Sequence, residues 1–376
     1  VVAACGSDDD SSDDTSTTEA PADTEAPAGT EAPAETEAPA GGDGLAAAQA
    51  VVDANLVIPT EIGPTIPLDS VPETKTMAWL ECSLPSCAAI GVGFTQAAEL
   101  LGWNLEVISW SDDAAAAFQQ ALDQGVDYVA ITGTSPALIQ DQLDQANAAG
   151  IPTMSCFDAA EPSEDGFAMQ CGDATSVEVA GNLIANAIIA DSGGTANTLM
   201  VNIPDFTVLG VERDASQAAY DENCPDCTFE ELALTLDQLL AGEAPGAVVS
   251  AIQSNPDIDY VHFAFDGLAG GMADTLAEAD LLEGRNLVGV DYNGQILQEI
   301  VDGTHPFWTT NPKEYSAWLM VDAMARHAVG MENPEERANA LLPTFIVNSA
   351  EMAEPLIPTD GWPGPDGQAE QFAALW

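Results

Sequence analysis

Gln124-Gly-Val-Asp-Tyr-Val-Ala-Ile-Thr-Gly-Thr-Ser-Pro136 and the segment after it, Ala146-Asn-Ala-Ala-Gly-Ile-Pro-Thr153, decide the fold. Asp127–Thr132 is a short run of apolar, β-branched and aromatic residues, the pattern of a buried strand. Pro136–Ala149 carries helical spacing, opens on a proline and stops at Gly150. Ile151–Ser155 is again strand-like. A strand, a helix, a glycine stop and a second strand make a βαβ unit, whose strands are parallel and whose crossover is right-handed.

The same unit recurs on both sides. Upstream lie a strand over Met77–Cys82, a helix over Ala88–Leu101 ending at Gly102, a strand over Leu105–Ser109 and a helix over Ala114–Gln124. A helix over Leu45–Asn55 and a proline-punctuated lead-in, Ile58–Pro72, precede them. Downstream, the pattern restarts with a strand at Phe167–Cys171 and a helix at Ser176–Ala190. Strands at Thr198–Asn202, Thr228–Leu234, Tyr260–Ala264 and Leu287–Val290 alternate with helices at Gly210–Glu222, Ala247–Gln253 and Gly271–Ala279. Two doubly wound parallel sheets, an α/β architecture, suit this length better than one. Ligands of such sheets bind beyond the carboxyl ends of the strands, and two lobes can turn those ends toward one cleft.

Charge excludes several functions. The chain has 62 acidic residues against six basic ones, a formal net charge of −56. Such a field repels a phosphate backbone, and no basic cluster opposes it, so nucleic acid is not a partner. No calcium-loop pattern, Gly-x-Ser-x-Gly elbow, His-Glu-x-x-His pair or phosphate loop is present, which argues against an enzyme, a cofactor or a metal site. After residue 5, no apolar run is long enough to span a bilayer.

The first residues read as an address. Val2-Ala3-Ala4-Cys5 resembles the end of a bacterial lipobox, in which the cysteine is lipidated, so the chain reads as the tail of a longer precursor. Four Thr-Glu-Ala-Pro-Ala repeats follow, beginning at Thr18, Thr24, Thr30 and Thr36. Residues 6–44 combine low hydrophobicity, acidic charge and regular proline, the composition of a disordered tether. A membrane anchor with a leash and a folded body is the expected arrangement. Six further cysteines fall by spacing into Cys82–Cys87, Cys156–Cys171 and Cys224–Cys227, one of the 15 connectivities open to them, and imply an oxidising compartment. Cys224-Pro-Asp-Cys227 reads as structural, because its acidic surroundings would raise a thiol pKa and no zinc-ligand partners share its spacing.

Several local patterns between Lys75 and Asn348 resemble type I periplasmic binding proteins of the ribose/galactose-binding group. They are Gln124–Thr132 with Thr134-Ser135-Pro136, Ala146–Thr153, Asn255-Pro-Asp-Ile-Asp-Tyr-Val261, and Leu287-Val-Gly-Val-Asp-Tyr-Asn293. The resemblance implies two lobes joined by three crossovers. The first would hold residues 75–173 and 311–341, the second 174–310 and the tail 342–376, with residues 45–74 as lead-in. It also implies an extracytoplasmic monomer that closes on a small polar solute and serves either an ABC importer permease or a membrane sensor.

Candidate ligand contacts follow from strand ends and crossovers. Asp291 and Asp266 each end an apolar strand, where a carboxylate can accept hydrogen bonds from hydroxyls or an amine, or can cap the next turn. Phe157 and Asp158 end the fourth strand, Asp173 adjoins the first crossover, and Thr310 and Asn311 fall at a later one. Ser83, Thr132 and Thr134 follow first-lobe strands, where turn chemistry is the competing role. Phe206 and Tyr292 offer apolar faces for a ring, whereas Trp79 and Trp308 read as core. The second-lobe arginine expected from the resemblance has only Arg213 nearby, about one position off, and Leu84-Pro-Ser-Cys87 replaces the aromatic turn of sugar-binding relatives. Many acids and few bases favour a neutral polyol or a cationic solute, an amine or nucleoside included, over an anionic one.

Overall fold

The structure is a computed structural model, described at residues 42–159, 162–163, 166–331 and 342–376. Cys5, the lipobox and nearly all of the repeat-bearing tether lie outside the described residues.

The first sheet contains β1 (Thr76–Glu81), β2 (Asn104–Ser109), β3 (Tyr128–Ile131), β4 (Thr153–Cys156) and β5 (Met169–Cys171), all parallel, in the order β2-β1-β3-β4-β5. Strands β3 and β4 are buried along their whole length, hence their unbroken apolar character, while the edge strand β2 is mostly exposed. Helices α2 (Pro85–Leu101), α3 (Ala114–Gln124) and α4 (Gln140–Ala149) connect them, each ended by a glycine in the left-handed conformation. Pro136–Ala149 is not one helix. A 3-10 turn at Pro136–Leu138, held by the Ser135 hydroxyl, is separated from α4 by Ile139, whose φ of −130° leaves the helical region.

The second sheet has β6 (Asn197–Asn202), β7 (Thr228–Ala233), β8 (Tyr260–Phe263) and β9 (Asn286–Gly289), parallel in the order β7-β6-β8-β9. Around it lie α5 (Ala174–Asp191), α6 (Thr207–Asn223), α7 (Leu236–Leu240), α8 (Ala244–Ser254), α9 (Met272–Glu278) and α10 (Gly294–Val301). The restart thus falls one strand later than the periodicity implied, since β5 closes the first sheet. β10 (Trp308–Thr309) bridges to Val290 beyond β9 and pairs antiparallel with β11 (Ile346–Val347). Trp79 and Trp308 are fully buried in core.

The chain crosses between lobes at Gly172-Asp173, where it enters α5, and at Thr310–Pro312, where it returns to α11 (Lys313–Ala328) on the first lobe. It is in the second lobe again at β11, and the stretch before β11 is tied to the other crossovers. Thr310 N donates to Phe345 O at 2.9 Å, Thr344 Oγ1 to Thr310 O at 3.0 Å, and Leu342 N to Ser176 Oγ at 3.4 Å. Gly172, with φ of +58°, is needed here: a Cβ would sit 2.6 Å from Leu342 Cδ1 and 3.1 Å from the Phe157 ring.

Two further segments join the lobes. Helix α1 (Gly42–Ala54) packs on α5 and α6 of the second lobe, and Asn55 O accepts from Ile346 N of β11. The lead-in then runs onto the first lobe, where Gly63 N donates to the Tyr315 hydroxyl at 2.9 Å. The tail behaves likewise. Helix α12 (Ala350–Ala353) and the 3-10 turn at Glu354–Thr359 lie against α10, but helix α13 (Gln368–Leu375) packs on the first lobe. The tail therefore does not belong wholly to the second lobe, as the resemblance implied. Its aromatic end decides this: Phe372 and Trp376 stack on Trp318 of α11 at 5.2 and 5.8 Å, and Leu375 O accepts from Leu68 N of the lead-in.

The six body cysteines lie in the three expected pairs, with Cα separations of 5.5 Å (Cys82, Cys87), 4.6 Å (Cys156, Cys171) and 5.4 Å (Cys224, Cys227), distances a disulfide can bridge. Cys156 and Cys171 are register partners across β4 and β5.

Candidate functional site

The carboxyl ends of both sheets open on one cleft of about 240 Å3 between the lobes. Its floor is built where β9 meets the crossover after β10. The residue after β9 and Val290, Asp291, has a φ of +67°, and its backbone N–H donates to Thr309 O at 2.9 Å. Phe157, at the end of β4 on the opposite lobe, has a φ of +59°. A bulky residue in that region is strained, and such strain persists only where surrounding structure enforces it. Phe157 packs against the cores of both lobes, which supplies that enforcement.

Lys313, the first residue of α11, points its ammonium back to the second lobe. Nζ lies 2.9 Å from Asp266 Oδ2 and 3.0 Å from Asp291 Oδ2, with all three side chains nearly buried. Asn293 Nδ2 donates to the same Asp266 oxygen at 3.1 Å, and Asp291 Oδ1 accepts from Tyr292 N at 2.8 Å. Burial lifts the Asp291 pKa well above its ordinary value and Asp266 adds to the rise, while Lys313 opposes it. Burial by itself would lower the Lys313 pKa, but the two carboxylates hold it above an ordinary lysine's. The lysine stays charged, and two acids share one cation.

Glu212 of α6 also lines the cleft and is 1% exposed. Its Oε1 lies 3.2 Å from His262 Nε2, yet neither atom has a hydrogen bond among the described residues, because the pair is poorly aligned. Burial, helped by Asp291, raises the Glu212 pKa well above its ordinary value, and burial lowers that of His262 to about 3. His262 is therefore neutral near pH 7, and burial disfavours the charged form of Glu212. The floor offers the Asp291 and Glu212 carboxyl groups, the Lys313 ammonium and the Asn311 amide. Mixed donors and acceptors of this kind match hydroxyl groups, which both give and accept hydrogen bonds.

Eight of the residues singled out from sequence line the cleft: Thr132, Thr134, Phe157, Asp158, Phe206, Asp291, Thr310 and Asn311. Five do not. Asp266 stands behind Asp291 on Lys313. Tyr292 is buried, its hydroxyl paired with Thr310 Oγ1. Asp173 caps α5 by accepting from Ser176 N at 3.1 Å, and Ser83 is an exposed turn residue. Arg213 faces outward, paired with Asp214 and Glu231. One residue along a helix is a turn of about 100°, so Glu212 takes the inward direction that Arg213 lacks. Lys313 had a signal in the sequence: it is one of only six bases and lies two positions after Asn311. Among the described residues, no group of three or more His, Cys, Asp or Glu is placed to hold a metal ion, and no helix is long and apolar enough to cross a membrane.

Residues 85–332 match the model of the family described as periplasmic binding protein domain, which covers more than half of the chain. The chain belongs to the periplasmic binding protein family. It is thus a member of a non-enzymatic, extracytoplasmic solute-binding family. No curated protein matches it by sequence. Solved structures of the same fold include an ABC transporter solute-binding protein from Mycobacterium smegmatis with bound glycerol, at 22% identity and a TM-score of 0.65, covering 76% of this chain and 97% of that one. A carbohydrate transporter protein from Acidothermus cellulolyticus 11B in complex with myo-inositol has 19% identity and a TM-score of 0.63, covering 76% and 98%. A periplasmic solute-binding protein from Actinobacillus succinogenes 130z with D-allose has 15% identity and a TM-score of 0.64, covering 75% and 100%. All three likenesses place this binding protein's two lobes in a shared architecture.

Proposed function

We propose that this binding protein captures a small hydroxylated solute, sugar- or polyol-like, by closing its lobes, and delivers it to an ABC importer. One observation carries the reading. The Lys313 ammonium, fixed between Asp266 and Asp291, forms a polar floor where the two lobes meet. Glycerol, myo-inositol and D-allose, the ligands of similar structures, belong to the same chemical class. A closed state favoured by solute would present a composite surface that a permease can distinguish from the open one.

The anchor belongs to the same proposal. Cys5 is lipidated, the acidic repeats keep the body clear of the membrane, and the three cysteine pairs are oxidised outside the cytoplasm. A thermal-shift screen of polyols, pentoses, hexoses, amines and nucleosides tests the ligand. A polyol or sugar raises the melting temperature, since binding only the native state stabilises it, and Asp291→Ala abolishes the shift. A screen in which only amines or nucleosides shift the melt would refute the sugar-type assignment. Replacing Cys5 with alanine in the full precursor releases the protein from the membrane fraction; retention would refute lipidation.

A further inference from the structure

The second sheet sorts its cleft-facing residues by strand. In spatial order, Leu236 lies beyond β7, Phe206 beyond β6, Phe265 beyond β8 and Asp291 beyond β9, and all four line the cleft. With strands about 4.8 Å apart, this row runs roughly 14 Å from Leu236, whose N–H donates to Asp205 Oδ2 at the cleft edge, through two phenylalanines to the charged floor. The first lobe repeats the order. Leu84 and Leu138, after β1 and β3, line the cleft away from the hinge, while Asp158, after β4, lies nearer to it. Phe206 and Phe265 meet edge to face at 6.4 Å, closing that end with rings. Leu138, 74% exposed, stands at the rim of this end.

We infer that the solute is amphipathic: a hydroxylated head held at Asp291 and Lys313, carrying a compact alkyl or aryl substituent that fills the Leu84–Leu138–Phe206–Leu236 end of the cleft. This rests on the reading above that the cleft holds a hydroxylated solute. Phenylalanine rings could instead lie against the C–H face of an unsubstituted sugar. Leucines have no such face and neither donate nor accept hydrogen bonds, and they stand at this end on both lobes. Hydroxyls of a bare polyol set directly against these leucines would find no partner on them.

Calorimetry on the full chain tests this with n-alkyl glycosides of ribose, allose and glucose and 1-alkyl ethers of glycerol, from methyl to hexyl, beside the unsubstituted parents. In a series that binds, affinity rises about fourfold per methylene until the apolar end is full. Leu138→Asn, a change on an exposed side chain, and Leu236→Asn each make the rise shallower. Equal or weaker binding of the alkylated members than of their parent overturns the amphipathic assignment while leaving the hydroxylated head in place. An undiminished rise in both variants overturns it as well. If no parent and no derivative binds, the underlying reading fails together with it.

Discussion

Lys313 and Asp291 stand 3.0 Å apart across the boundary between lobes, the lysine on the helix that begins the return to the first lobe and the aspartate at a strand end of the second. The ion pair thus acts both as part of the cleft floor and as a fastening of the hinge. With Lys313 held to both acids, Asp291 presents its carboxyl group to a solute's hydroxyls at the point where the lobes meet.

Removing the cation should cost more than the pair itself contributes, because Asp266 and Asp291 would remain buried side by side. Lys313→Met is expected to destabilise the protein by about 3–5 kcal/mol, the usual penalty for orphaning a buried charge. Adding Asp291→Asn should recover part of that loss, since one of the repelling acids is gone. Thermal melts of the two single variants and the double variant measure the coupling; strictly additive losses would mean the two residues do not act as a pair.

Arg213 and Glu212 are neighbours in sequence with opposite surroundings. Arg213 pairs with Asp214 and Glu231 at the surface, where such contacts contribute little. Arg213→Ala should leave solute affinity within about twofold and stability within ~1 kcal/mol. Glu212→Leu, which removes a polar group from the cleft floor, should weaken binding by roughly tenfold or more. Titration of both variants with the same solute decides this, and a larger loss at Arg213 would reverse the assignment.

Which parts of this could be read from sequence follows from what each depends on. Gly102, Gly125 and Gly150 mark helix ends through local backbone geometry alone, so the βαβ repeats are visible without tertiary information. Asp291 and Asn311 sit at positions that repeats and crossovers define, and both line the cleft. Lys313 is marked in the sequence only by its rarity as a base and its nearness to Asn311; its role in the cleft depends on two aspartates 22 and 47 positions away meeting at the hinge. The direction of Glu212 depends on which face of α6 turns to the cleft, a matter of tertiary packing that the helix's own sequence does not settle. The docking of the tail on the first lobe depends on Trp318, Phe372 and Trp376 finding one another, and no local pattern encodes such a meeting.

The buried Glu212–His262 pair predicts opposing pH effects. Burial holds the His262 pKa at about 3 against 6.5 when unfolded, so between these values the unfolded chain binds the extra proton. The stability tied to neutral His262 is whole above pH 6.5 and is lost as pH falls. Glu212 is raised above its unfolded 4.5, so its contribution is whole below that pH and is lost as pH rises through the raised pKa. Melting temperatures across pH 4 to 9 should show a shallower acid limb in His262→Gln and a shallower alkaline limb in Glu212→Gln. Identical limb slopes in wild type and variants would show that neither group titrates as its burial requires.

The tail helix offers a separate test, away from the cleft. Phe372 is fully buried between Trp318 and Trp376, and Trp376 Nε1 donates to Asp322 Oδ1 at 2.7 Å, beside the buried Asp322–Arg326 pair. Deleting the ring opens a cavity in the first lobe's core and loosens the strap that reaches it from the second. Phe372→Ala should therefore cost about 3–5 kcal/mol. None of these residues lines the cleft, so the variant should still be stabilised by solute, and by the same increment as wild type at equal saturation. Paired melts with and without solute separate the two effects. A drop in melting temperature of under a degree would mean that the helix is not part of the folded core. A lost solute response would mean instead that the strap helps to set the closed geometry of the cleft.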